Sequence, residues 1–130
     1  MRSSSRVAGA LGALAVLAFA ASAAHAQPAG DAGKGADTFN EVCTQCHTLG
    51  AVAAGPDLIG VVGRKAGTSP DYPYTAGMKA SGLTWTPANL ERFLANPQAT
   101  VPGTAMAGVS VASAADRANI VAYLAKQKAH

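Results

Sequence analysis

The 130 residues contain no run of lysine and arginine, only two cysteines and only three histidines. Formal net charge is +3, from 10 Lys and Arg against 7 Asp and Glu. Two of the basic residues, Arg2 and Arg6, fall in a stretch that reads as an export leader. Without them the balance is 8 against 7, a net charge of +1. Nucleic-acid surfaces need clustered cations, so that class of function is excluded. No alternating strand pattern precedes the first cysteine. That argues against a thioredoxin-type Cys-x-x-Cys, which follows a strand in a βαβ unit. Structural zinc takes four ligands. Beyond the leader the chain offers two cysteines, His47 and the terminal His130, so a closed zinc site is a poor fit.

What is present begins with that leader. Arg2 and Arg6 make a basic start, residues 7–24 are apolar and uncharged, and Ala24-His25-Ala26 has the small-x-small pattern of a signal-peptidase site. The apolar run sits near the lower limit of about 18 residues for a membrane span. It is interrupted by Gly9, Gly12 and Ser22. A cleaved signal peptide over 1–26 is therefore expected rather than a retained anchor, with a single domain over 27–130. The expected location is the periplasm, with no stable membrane insertion after cleavage. In such a compartment two thiols oxidise to a disulfide unless something else takes them.

Three helices are legible. Residues 31–46 place Ala36, Phe39, Val42 and Cys43 on one apolar face. A second helix starts with Thr86 as N-cap and Pro87 in the first turn, sets Leu90, Phe93 and Leu94 on one face, and stops at Asn96-Pro97. A third, over 114–126, has Ser113 as cap and Asp116 three residues on. It sets Arg117, Ile120, Val121 and Leu124 on one stripe. A short helix is expected near 74–80. The remainder of 48–85 is rich in Gly and Pro and shows no strong element, yet it carries Leu58, Ile59, Val61, Val62, Tyr72, Tyr74 and Trp85. It is too apolar for disorder. A long irregular segment in a small domain needs a reason, and wrapping a large apolar cofactor supplies one.

The stretch "EVCTQCHTL" holds Cys43, Cys46 and His47. Cys-x-x-Cys-His is the attachment pattern of c-type haem. Two intervening residues let one turn present both thiols to the two vinyl groups of a porphyrin, and the adjacent imidazole then faces the iron. The residues leave the sixth ligand open among Met78, Met106, His130, a lysine or no ligand. Met106 stands out because "VPGTAMAG" is a Pro-Gly turn with small neighbours that lets backbone approach a ring closely.

"CTQCHTLGAVAAGPDLIGVVGRKAG", "YPYTAGMKASGLTW", "LERFLANPQATVPGTAM" and "NIVAYLAKQ" together resemble class I cytochrome c, of the soluble mitochondrial type and its bacterial periplasmic counterparts. The resemblance covers the chain from Gly35 to about Lys126. It implies a small all-α fold of about three main helices plus a short one, wrapped with long loops around one covalently attached haem c. Cys43 and Cys46 would carry the thioethers, and His47 and Met106 would be the axial iron ligands. The Pro56 carbonyl would accept from the His47 imidazole. Tyr74, Trp85 and Thr104 would hydrogen-bond the propionates, with Arg64 near them. Gly35 and Phe39 would pack on Tyr123 and Leu124. Where mitochondrial relatives carry a tyrosine near the ligand methionine this chain has Phe93, and Met78 replaces an asparagine. Gln98, Ala99 and Ala105 stand where those relatives have lysines.

The expected function is a soluble, monomeric one-electron carrier, not an enzyme, cycling between Fe(II) and Fe(III). A bc1-type complex, a terminal oxidase, a photosynthetic reaction centre or a periplasmic dehydrogenase would each suit it as partner. The rival reading is a haem protein with an open or labile sixth site, peroxidase-like or gas-binding.

Overall fold

Asp31 opens the first helix in the computed structural model of the chain, which describes Gly9 and residues 29–129. Gly9 apart, the leader expected over 1–26 lies outside the described residues, as does His130. The Asp31 carboxylate accepts from the backbone N–H groups of Gly33 (2.8 Å) and Lys34 (3.2 Å). These bonds hold its pKa below the ordinary value, because they favour the charged form. Helix α1 then runs over Ala32–Val42 and tightens into a 3-10 turn at Cys43–Gln45. The single helix expected over 31–46 is thus an α-helix whose last turn is 3-10, with Cys46 and His47 beyond it.

Helix α2 (Ala76–Ala80) is capped by Thr75, whose hydroxyl accepts from Met78 N–H. Helix α3 (Pro87–Ala95) has Thr86 as N-cap and Pro87 in its first turn. Asn96-Pro97 ends it, as its Asn-Pro pair requires, but the chain does not stay irregular. Asn96 caps a further turn, α4 (Pro97–Thr100), accepting from Ala99 N–H at 3.1 Å. Helix α5 (Ala114–Lys126) starts at Ser113, whose hydroxyl accepts from Asp116 N–H at 3.2 Å. Among the described residues no strand forms; only two isolated bridges occur, Thr48 with Ala51 and Lys65 with Thr84. The all-α class holds.

Helices α1 and α5 cross closely, and α3 and α5 also pack together. The crossing needs Gly35, since a Cβ there would run into the Asn119 carbonyl and the Tyr123 Cβ. One turn on, the Phe39 and Tyr123 rings meet at 5.3 Å and 52°, an aromatic contact contributing about 0.5–1.5 kcal/mol beyond area burial. The core joins Phe39, Ile120, Val121 and Leu124 to Leu90, Phe93 and Val101.

Two expected core positions differ. Val42 is 39 % exposed, because α1 gives its buried face to Gly35 and Phe39 and Val42 sits where the 3-10 turn begins. Arg117 is not core either. Its guanidinium reaches back over the α5 N-terminus to donate to the carbonyls of Val111 and Ala112, each at 2.7 Å. Ala118 takes the buried place beside Ile120 and Val121.

Candidate functional site

The end of α1, the irregular segment after it, α2, α3 and the turn before Met106 surround an apolar cavity of about 850 Å³, its open mouth included. Packed interiors leave few voids larger than a water molecule. A space walled by Phe39, Leu58, Val61, Phe93, Leu94 and Ile120 suits a resident apolar non-protein group. The irregular segment is apolar because it forms this wall.

His47 reaches the cavity from the turn that ends the first helical stretch; its own N–H donates to the Cys43 carbonyl at 2.9 Å. The imidazole is buried, and Nδ1 lies 2.9 Å from the Pro56 carbonyl oxygen. A carbonyl can only accept, so Nδ1 carries the proton and Nε2 keeps the lone pair. Gly55 lies against the same ring: a Cβ there would sit 2.7 Å from Nδ1 and 2.9 Å from Nε2.

The loop that supplies this carbonyl is held at several points. Gly55 N–H donates to the Cys46 carbonyl (2.7 Å). The Asp57 carboxylate accepts from Gly50 N–H (2.8 Å) and Ile59 N–H (2.9 Å). The Arg64 guanidinium donates to the carbonyls of Asp57 (2.8 Å) and Ile59 (3.1 Å). Arg64 lines the cavity, and it also clamps the loop that orients His47.

The two cysteines are placed differently, and no disulfide joins them. Cys43 lines the cavity, and burial pushes its thiol up to about 11, so it is a neutral group at neutral pH. Cys46 is exposed, one residue before the buried imidazole.

Met106 enters the same cavity from the Pro102-Gly103 turn. Val101 and Thr104 are buried there. Thr104 N–H donates to the Val101 carbonyl (3.1 Å), and the Thr104 hydroxyl accepts from Met106 N–H (3.2 Å). Met78 also lines the cavity and is buried. The Trp85 and Phe93 rings touch at 5.0 Å, so both thioethers share a pocket with these rings. Tyr74, Trp85 and Thr104 line the space as well.

Two lining residues had no role assigned from sequence. Tyr72 packs edge-on to Tyr74 at 4.8 Å and donates its hydroxyl to the Ala54 carbonyl at 3.1 Å. That bond ties the 70–74 segment to the loop under His47. The two tyrosines sit two residues apart around Pro73, a spacing that keeps side chains on one face of extended chain. Thr75 caps α2 and also lines the cavity. Gly55 gave no signal of its own beyond its place before Pro56.

A family model described as Cytochrome c matches residues 32–128. The chain is 45 % identical over 100 residues to cytochrome c2 of Rhodomicrobium vannielii, covering 75 % of this chain and 79 % of that one. It is 46 % identical over 95 residues to the cytochrome c-type cyt cy of Rhodobacter capsulatus, covering 72 % of this chain. The match spans about half the length of that protein, 48 %. Among solved structures it is similar to cytochrome cH from Methylobacterium extorquens, with a TM-score of 0.71 and 40 % identity over 74 % of this chain and 98 % of the other.

Proposed function

The chain belongs to the cytochrome c family, and on that premise we propose that it is a soluble one-electron shuttle whose haem iron is held between His47 and Met106. Membership brings one covalently attached haem c and the role of electron carrier. The finer assignment rests chiefly on one observation: His47 and Met106 line the same apolar cavity, and the Pro56 carbonyl engages Nδ1 so that Nε2 is left for a metal.

The residues fit the group. Cys43, inside the cavity wall, and Cys46, on the outer side of the turn, would carry the two thioethers. When bound, the haem supplies a one-electron Fe(III)/Fe(II) couple. The chain's residues set its behaviour. The Pro56 carbonyl and Gly55 fix the imidazole plane. The turn through Thr104 holds Met106. The apolar wall of Phe93, Met78 and Leu94 disfavours added charge and so favours the reduced state, as does a neutral thioether donor. Tyr74, Trp85 and Thr104, with Arg64, are the polar residues on the wall that would meet the propionates. With His47 and Met106 both holding the iron, no position would be left for a substrate, and the protein would act as a carrier and not as an enzyme.

The same reading places a cleaved signal over 1–26 and the working protein, a monomer, in the periplasm. No helix among the described residues is long and apolar enough to cross a membrane. Its partners would be redox complexes of the bc1, terminal oxidase, reaction-centre or dehydrogenase kind.

Met106→Ala tests the ligand assignment. The weak near-infrared sulfur–iron band of the oxidised protein should disappear and the potential should fall, while Met78→Ala keeps the band. Persistence of the band in Met106→Ala, with its loss in Met78→Ala, would sink the assignment.

A further inference from the structure

From the distribution of charge around the cavity we infer that this protein docks through an uncharged, apolar face, onto a redox partner whose own contact patch is neutral and apolar. The inference rests on the carrier reading above and names the chemistry of the partner surface.

Two segments contain no Asp, Glu, Lys or Arg: one lies between Glu41 and Asp57, the other between Arg92 and Asp116. Every charged residue from Asp31 to Lys128 lies outside them. These segments hold both cysteines and both proposed iron ligands. The first brings Cys43, His47 and Pro56 to the cavity, and the second brings Phe93, Leu94, Thr104 and Met106. Buried residues need no charge, but much of these segments is on the surface. Ala51, Val52, Ala53 and Ala54 are exposed in the first, and Ala105, Ala107, Gly108 and Val109 in the second.

The exposed large hydrophobics fall in the same two segments. The strongly exposed large hydrophobics among the described residues are Val42 (39 %), Val52 (42 %) and Val109 (39 %). Val42 adjoins Cys43. Val52 lies in the loop that leads to Gly55 and Pro56. Val109 closes the turn after Met106, its N–H donating to the Met106 carbonyl at 3.0 Å. Single exposed valines mean little on a surface that is about half apolar anyway. Their restriction to the two charge-free segments does mean something, since the charges sit on the rest of the molecule. A charged partner patch would find no counter-charge on these segments and would lose hydration on contact without compensation. A neutral apolar patch loses nothing and gains from burial. Nothing on this face steers a partner over long range, so association stays at the rate of an unsteered encounter. Release is correspondingly unhindered by ion pairs.

Reduced holoprotein mixed with membrane vesicles of the organism that makes it provides the test. Oxidation is followed from about 0.01 M to about 1 M salt, over which the Debye length falls from about 30 Å to about 3 Å. The rate should change by less than about threefold across that range. At low salt Val52→Lys and Val109→Lys should each slow it by more than about threefold, whereas Ala88→Lys, on an exposed position outside both segments, leaves it unchanged. A larger salt effect on the parent protein, or valine variants that react like the parent, overturns the neutral face while leaving the carrier reading intact. If the membranes neither oxidise nor reduce the protein although its haem spectrum is intact, the carrier reading fails and this face with it. Sedimentation of the parent separates a remaining occupant. A dimer that either lysine abolishes would assign the face to a second copy and overturn the proposal.

Discussion

Nδ1 of His47 lies 2.9 Å from the carbonyl oxygen of Pro56, a bond made possible because residue 55 has no side chain. The ring is trapped between the peptide of Gly55 and the cavity. Gly55→Ala should push the ring off the Pro56 carbonyl and cost about 1–3 kcal/mol, the usual scale for forcing an extra carbon into a packed site. Guanidinium titration gives the stability, and the His47 ring-proton resonances report the displaced bond. An alanine variant of wild-type stability with unmoved resonances would mean the close approach is not structural.

Met78 presents an apolar side chain to the cavity, where a polar one would stabilise the more highly charged oxidised state. Met78→Asn should therefore lower the midpoint potential and cost about 1–3 kcal/mol through burial of an amide without assured partners. Potentiometric titration beside a denaturation curve checks both. A rise in potential would contradict the account of the wall given above.

With His47 and Met106 both holding the iron as proposed, a gas would find no open position. Carbon monoxide should not bind the reduced native protein at neutral pH, whereas reduced Met106→Ala should take it up readily. The Soret band reports either result. Ready uptake by the native protein would favour the rival reading of an open or labile sixth site.

Gly35 is the contact point of α1 and α5. Gly35→Ala would place a methyl group against the Asn119 carbonyl and the Tyr123 Cβ. The cost should be about 1–3 kcal/mol, although alanine is the better helix former by roughly 1 kcal/mol. The sign decides between packing and propensity. A thermal melt showing stabilisation would mean that the two helices part without penalty.

Local chemistry wrote its signals into short stretches, and these were legible. Thr86, Pro87 and Asn96 bound α3, and Ser113 opens α5, because caps depend only on neighbouring backbone. The Cys43-Cys46-His47 motif was equally plain, its spacing being a property of one turn. Other features need partners distant in the chain. Helix α4 forms because Asn96 caps it and Thr100 reaches back to the Arg92 and Asn96 carbonyls at 3.0 and 2.9 Å, and the Asn-Pro pair alone reads only as a stop. The exposure of Val42 and the fold of Arg117 back over the α5 N-terminus depend on tertiary neighbours, and periodicity places a buried face only to within a residue.

By itself, then, the sequence determined the bounds of α3 and α5, the attachment motif and the family, since each is encoded in contiguous residues. Only the tertiary structure decided that the irregular 48–85 segment walls a cavity, that Tyr72 ties it to the loop beneath His47, and that Arg64 clamps that loop. Each of these is a contact between residues brought together by closure of the chain. No local propensity specifies such pairs, and here the packing of α1 on α5 and the space left between the loops fix them.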